Sequence, residues 1–436
     1  MAERNINRNP RPLSSVWGTL RDRDFRLLWF GGGLDNTARW MDAVVMGLLV
    51  LELTDSAWQV ALLFVMRWLP MLVFAMLSGI IADRANRWLV IMVARAGSVV
   101  ATAIVLVLVA SGEIQPWQML LASLALGWLY VLEFPSRRSL IYDIVGLRFI
   151  SNAMSLETIN STIGRFLGPL SAGLLIELSG FTGAYVALVA GYSFALVAIG
   201  LMRSRIPVQA SRSASVLRNL VTGVNYSLSN PVIRGVLIVT LIMNALAFSV
   251  EALFPVVARD HLHVGAGLTG VLISAQAIGS FVAALIIASK GNIKYHGRIF
   301  VAGISLQLVC LFLFALSPWY ALSFLLLLFL GFGSAGFSTM QSTIILISSA
   351  PAMRGSALGV LGQCIGVAAL GGLVVGAVAE LFSAQIAVGI SALMGIALLI
   401  PVLAFTPLAR RPVTAPEENE AAELEASGLV GTQPVE

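Results

Sequence analysis

Between Phe25 and Phe405 the chain returns twelve times to a stretch of about twenty or more residues that is almost wholly apolar. A helix rising 1.5 Å per residue needs roughly twenty residues to cross about 30 Å of hydrocarbon, so this pattern suits a bilayer and not water. The stretches fall at about 26–52, 57–82, 88–110, 117–138, 152–178, 182–202, 232–258, 266–288, 298–316, 319–344, 355–379 and 384–406. Short separators carry turn residues, as in Thr54-Asp55-Ser56, Ser111-Gly112-Glu113 and Ser317-Pro318. Backbone groups find no partners in lipid, so each stretch must be a helix; the Gly-rich runs lack the alternation of a barrel strand. Composition removes the main competitor. Only 11% of residues are charged and 58% are apolar, against about 25% charged in soluble domains, so a soluble enzyme is excluded.

The arginines set the orientation. With both termini cytoplasmic, 22 of the 27 Lys and Arg fall in tails, cytoplasmic loops and adjoining helix ends. Arg39, Arg67, Arg95 and Arg165 lie within spans, and Arg259 is the single exception. This bias is the positive-inside rule. Residues 1–24 form a basic cytoplasmic tail without the apolar core of a signal peptide, which fits a bacterial inner membrane. Residues 408–436 form an acidic tail expected to be disordered. The longest internal break, 204–230, is polar and basic and includes a predicted surface helix over 213–229. It divides a six-helix bundle over 25–203 from a second over 231–407. The two halves repeat weakly: an offset of 209 carries Asp35 to Asn244, Asp42 to Glu251 and Arg67 to Gln276.

The segment between spans 2 and 3 reads Gly79-Ile-Ile-Ala-Asp83-Arg84-Ala-Asn86-Arg87-Trp88. It resembles the loop 2–3 signature of the major facilitator superfamily, Gly-x-x-x-Asp-Arg-x-Gly-Arg-Lys/Arg, with Asn86 and Trp88 as departures. Span 5 carries Ser161, Gly164, Gly168 and Ser171, a small-residue stripe that permits tight helix contact, and within the span lies the candidate export element Gly164, Gly168, Pro169 and Gly173. It is similar to the superfamily exporters' Gly-Pro-x-x-Gly-Gly element, with Ala172 in place of the first paired glycine. The stretch Glu133-Phe134-Pro135-Ser136-Arg137-Arg138, with Asn152 to Glu157, resembles the branch that includes macrolide and enterobactin exporters. The resemblance implies an all-α polytopic membrane protein: twelve transmembrane helices in two pseudo-symmetric six-helix bundles, the major facilitator fold. It implies a cavity lined chiefly by spans 1, 4, 7 and 10, with spans 2, 5, 8 and 11 at the seam. It further implies a cytoplasmic gate at Gly79, Asp83, Arg84, Arg87, Glu133 and Arg137, and outward, proton-coupled transport.

A charge at mid-depth costs roughly 2.5–3.5 kcal/mol on insertion scales, so each one needs a reason. Asp35, Arg39 and Asp42 are spaced i, i+4, i+7 and share about 60° of one helix face. Together with Arg67, Arg165, Asn244, Glu251 and Gln276 they are the expected cavity residues. Asp42 and Glu251 are the expected proton carriers, with Asp35 held ionised by Arg39; mutual neutralisation of the same charges is the competing account. Glu133 and Glu157 are expected to pair with Arg137 and Arg138. Trp29, Trp40, Trp128, Tyr130, Phe248, Phe254, Phe332 and Phe337 suit an amphipathic cargo, while Arg39, Arg67 and Arg165 suit an acidic or catecholate-bearing one. The expected partners are thus a small-molecule substrate, protons and the lipid bilayer, for a monomer.

Several motifs carry no such weight. Gly331-Phe332-Gly333-Ser334-Ala335-Gly336 has dinucleotide-site spacing but lies inside an apolar span, so it is read as packing. His261 and His263 beside Asp260 are read as a solvated turn, not a metal site. Cys310 and Cys364 lie in apolar runs and offer neither a disulfide nor a metal site. No phosphate-binding loop, cofactor motif or basic nucleic-acid patch is present in the sequence. An importer or uniporter, a lysophospholipid flippase and a non-transporting membrane sensor remain open alternatives.

Overall fold

The computed structural model describes residues 19–203, 216–289, 295–350 and 353–406, and every structural statement below concerns those residues. Helix α1 (Arg23–Thr54) starts on Asp22, whose carboxylate accepts from the Phe25 amide at 2.9 Å. An acid here satisfies an orphaned donor and meets the positive end of the helix dipole. Helices α2 (Ala57–Arg84) and α3 (Arg87–Ser111) follow. Asn86 caps α3 by accepting from the Leu89 amide at 3.2 Å, so one departure from the family signature has a local structural use.

Pro116–Gly200 is helical but for two glycines, Gly146 (φ 66°) and Gly180 (φ 67°). Only glycine adopts such values without strain, and these two breaks divide the stretch into three helices. They are α4 (Pro116–Gly146), α5 (152–179) and α6 (181–200). The fourth helix thus runs about two turns past its expected end near 138. Arg137, at the expected end of the span, is buried, donating through Nε to Glu157 at 2.8 Å and through Nη2 to the Leu28 carbonyl at 3.0 Å.

Helix α7 (Val216–Ser229) occupies the expected surface-helix position. The second half comprises α8 (Pro231–Asp260), α9 (Ala266–Ser289), α10 (His296–Leu316), α11 (Tyr320–Ser348), α12 (Arg354–Gly366 continuing as Ala368–Leu381) and α13 (Ala384–Phe405). Helix α7 is pinned to the α11 end, where Tyr226 accepts from the Ala350 amide at 2.8 Å and Asn230 donates to the Ser348 carbonyl at 3.3 Å.

Ten stretches qualify as membrane spans on length and hydropathy alone. One of them, Asn152–Gly200, holds both α5 and α6, and α1, which carries Asp35, Arg39, Asp42 and Glu52, is the further crossing outside the ten. Twelve described helices therefore cross the bilayer. Their outer faces carry exposed Leu178, Phe194, Leu316 and Ile400, which water would not tolerate as a continuous belt but lipid does. The basic tail, most of the linker and the acidic tail lie outside the described residues.

Odd-numbered spans leave the face where α1 begins and α13 ends, called here the termini face, and reach the opposite or far face. The halves meet along two seams, α2 against α12 and α5 against α9. A Cβ on Gly173 would collide with the Ala266 carbonyl of α9, so glycine is what lets α5 and α9 touch there. On the other side of α5, a Cβ on Gly168 would stand 2.5 Å from the Trp40 Cβ of α1.

Candidate functional site

The helices enclose a cavity of about 420 Å³ between the halves. Its wall is drawn from α1, α2, α4 and α5 on one side and α8, α9, α11 and α12 on the other, with Ser98 and Tyr192 added from α3 and α6. The cavity helices and seam helices expected from the resemblance both contribute.

Seven of the eight expected cavity residues lie on the wall: Asp35, Arg39, Arg67, Arg165, Asn244, Glu251 and Gln276. Asp42 does not. It is fully buried behind Arg67, whose Nη2 donates to it, so the longer side chain stands between this acid and the cavity. Within the second half Glu251 accepts from Gln276 Nε2 at 2.6 Å. The two bonds join residues 25 positions apart in each half, so the offset of 209 maps one pair onto the other.

In the first half the acids and arginines form a closed ring. Arg39 Nη2 donates to Asp35 at 2.5 Å, Arg95 pairs with both Asp35 and Glu133, and Arg39 stands 4.0 Å from Glu133. The ring corrects one expectation: Glu133 pairs with Arg95 on the cavity wall and not with Arg137 or Arg138 at a gate. Arg95, 1% exposed, is the residue the sequence reading counted but did not assign. Its position in mid-span was the available signal. That it meets Glu133 on the next helix was not legible, because 38 residues and a turn separate them.

Arg165 is held differently. Among the described residues it makes no ion pair; its guanidinium rests 4.8 Å from the Trp40 ring centroid, near enough to Glu251 for the two charges to interact. Arg39 lies 4.1 Å over the Tyr130 ring. Of the second half's residues on the wall, Glu251 alone is ionisable.

Helix α8 is irregular where it meets the cavity. After Ile242 it widens into a π turn, Met243–Phe248, then tightens into a 3-10 stretch, Ser249–Leu253, before resuming as an α-helix. Such irregular turns concentrate at functional positions, and Asn244, Phe248 and Glu251 all project from this one.

Among the expected aromatic residues, Trp40, Tyr130, Phe248, Phe254 and Phe337 line the cavity, joined by Phe64 and Trp68. Trp29, Trp128 and Phe332 do not: Trp29 donates to the Leu156 carbonyl at 2.9 Å, and the other two pack on Phe74 and Phe329. Of the expected gate, Gly79, Asp83 and Arg84 have side chains outside the described residues, as does the loop 290–294. Arg87 pairs with Asp143 of its own half. The Gly331-Gly333-Gly336 run packs as expected, with Gly331 against the Gln276 backbone and Gly333 against Gly303.

The far face is shut. Contacts between the halves gather from mid-depth, where Ser274 donates to the Phe166 carbonyl at 3.0 Å, to the outermost turns, where Arg259 reaches Asp55 and Glu380 reaches Ser56.

The family model for transmembrane secretion effectors matches residues 14–429. The chain belongs to that family of the major facilitator superfamily. The enterobactin exporter EntS of Shigella boydii serotype 18 is 26% identical over 353 residues, 77% of this chain and 83% of its own length. EntS of Escherichia coli O81 matches equally. Solved structures share the fold at lower identity. The nucleoside transporter NupG superposes with a TM-score of 0.68 at 18% identity, covering 88% of this chain and 98% of its own. A bacterial homologue of the lysosomal transporter Spinster, inward-facing and occupied, gives 0.67 at 16%, covering 92% and 97%. The protein is therefore a multi-pass secondary transporter of small molecules with the major facilitator fold.

Proposed function

We propose that the protein exports amphipathic small molecules in exchange for protons, by alternating access of the central cavity to the two faces. The observation that carries this reading is the placement of Glu251 on one wall and Arg165 on the other, within a cavity that spans both halves. Intramembrane ionisable groups cluster on substrate and proton paths, and stability alone is a poor reason to keep them. Glu251 is the carboxyl that protons reach in this state. Asp42 becomes reachable when Arg67 swings aside. The positive-inside bias makes the termini face cytoplasmic, so with the far face shut the cargo loads from the cytoplasm. Export as the direction draws support from the secretion-effector family and from EntS.

The lining favours an aromatic or apolar body over a sugar, which would need denser hydrogen bonding. A second reading, an acidic cargo of siderophore type, is favoured by Arg165, whose guanidinium faces the cavity and makes no direct ion pair among the described residues. The test is flux in proteoliposomes under an imposed proton gradient, with parent, D42N and E251Q, against drug and catecholate cargoes. Proton-driven flux is expected to be lost in E251Q while cargo exchange without a gradient persists. Full gradient-driven flux in both variants would end the proton-carrier assignment.

A further inference from the structure

Arg259 is the one basic residue that breaks the chain's charge bias. In the structure it ends α8 at the far face and reaches across the seam to the end of α1. Its Nη1 donates to the Leu51 carbonyl at 3.0 Å and its Nη2 to Asp55, while Nε donates to Asp260 at 2.6 Å. Glu380, at the end of α12, makes the reciprocal reach. It accepts from the Ser56 hydroxyl at 2.9 Å and from the Trp58 amide at 3.1 Å, at the start of α2.

The signs match the helix ends. The last carbonyls of a helix carry partial negative charge and its first amides partial positive charge. The second half thus sets a cation on the C-terminus of α1 and an anion on the N-terminus of α2, two helix ends that flank one turn of the first half. Both contacts are exposed to water: the Asp55 side chain is 85% accessible, and a groove lined by Asp55, Asp260, His261 and Glu380 lies beside them. Exposed pairs of this kind contribute little individually. Light contacts suit a closure that must reopen in every cycle, whereas a buried ionic lock would hold one state.

We infer that Arg259 and Glu380 are positioning residues that form a two-point latch, holding the far face shut by seating on the adjacent ends of α1 and α2. This rests on the alternating-access reading above. The test uses the full chain with Cys310 and Cys364 replaced by alanine and a single reporter, A252C, on the cavity wall. Labelling by a membrane-impermeant maleimide is timed from each face, in right-side-out and inside-out vesicles, for the parent, R259Q, E380Q, the double variant and R259K. R259Q and E380Q are expected to speed labelling from the far face about two- to fivefold and to slow it from the termini face. The double variant goes further, and R259K, which keeps the cation, stays at the parent's rates. A correctly inserted double variant that labels like the parent from both faces overturns the latch. A parent that labels from one face only, with and without cargo, overturns the alternating-access reading and the latch with it.

Discussion

Gln276 holds Glu251 with a neutral amide, from the position that Arg67 takes beside Asp42 in the other half. Duplicated scaffolding has thus kept a donor and an acid 25 residues apart in each half while changing the charge of the donor. A guanidinium favours the ionised acid; an amide tolerates either form, because it also has a carbonyl that accepts. On the proposed proton exchange, the pair in the second half is therefore the one assigned to change its proton.

Giving the second half the donor of the first should therefore stop it. Q276R is expected to pin Glu251 in its ionised form, lowering gradient-driven flux by tenfold or more while cargo binding survives. Flux in proteoliposomes and equilibrium binding in detergent separate the two. Unchanged coupling in Q276R would count against the role given to Glu251.

Arg95 should behave as a structural keystone. Removing it leaves Asp35 and Glu133 buried with one guanidinium between them, and breaking such a buried pair costs about 3–5 kcal/mol. R95M should unfold well below the parent in a thermal scan in detergent. D35N/R95M/E133Q, which removes the buried charges of the ring and leaves only the part-exposed Arg39, should recover much of that loss. A triple variant as unstable as R95M would argue that Arg95 contributes packing and not charge.

The two glycine contacts of α5 should fail in different ways. Gly168 packs on α1 within one half, so G168L should reduce the yield of folded protein. Gly173 meets α9 across the seam, so G173V should fold yet keep the far face from closing. Size-exclusion profiles report the first effect. Reporter accessibility from the far face, raised in G173V alone, reports the second.

Trp40 should matter through its ring face. A cation over an aromatic ring is worth roughly 0.5–2 kcal/mol, and W40F keeps such a face while W40L does not. W40L is expected to weaken cargo binding by about three- to tenfold through the loosened Arg165, with W40F nearer the parent. Isothermal titration with a tight-binding cargo measures it. Equal affinities in the two variants would remove Arg165 from the cargo site.

The helices were legible because a bilayer imposes one length and one polarity on every crossing. Their ends were read to within a few residues except at α4, which runs on to Gly146 because the helix outlasts its apolar stretch. The pairing of Arg137 with Glu157 of the following helix was legible from their charges and is present in the structure. The offset of 209 read from the sequence maps the Asp42–Arg67 bond onto the Glu251–Gln276 bond, a shared register that differences in identity had left faint. Asp42 was misplaced relative to the cavity wall, because helical spacing gives a direction but not what a neighbouring side chain covers. Ring closure by Arg95 and the uneven pitch of α8 depend on contacts between helices, which no local pattern in the chain encodes.

That uneven pitch has a mechanical consequence. A wide turn stores one surplus residue in the coil, and relaxing it to regular winding would swivel everything beyond it by about 100°. Glu251 lies just past Met243–Phe248. If the tight stretch Ser249–Leu253 unwinds as the wide turn tightens, the two swivels cancel beyond it, and the carboxyl is re-aimed while the rest of the helix stays docked against its neighbours.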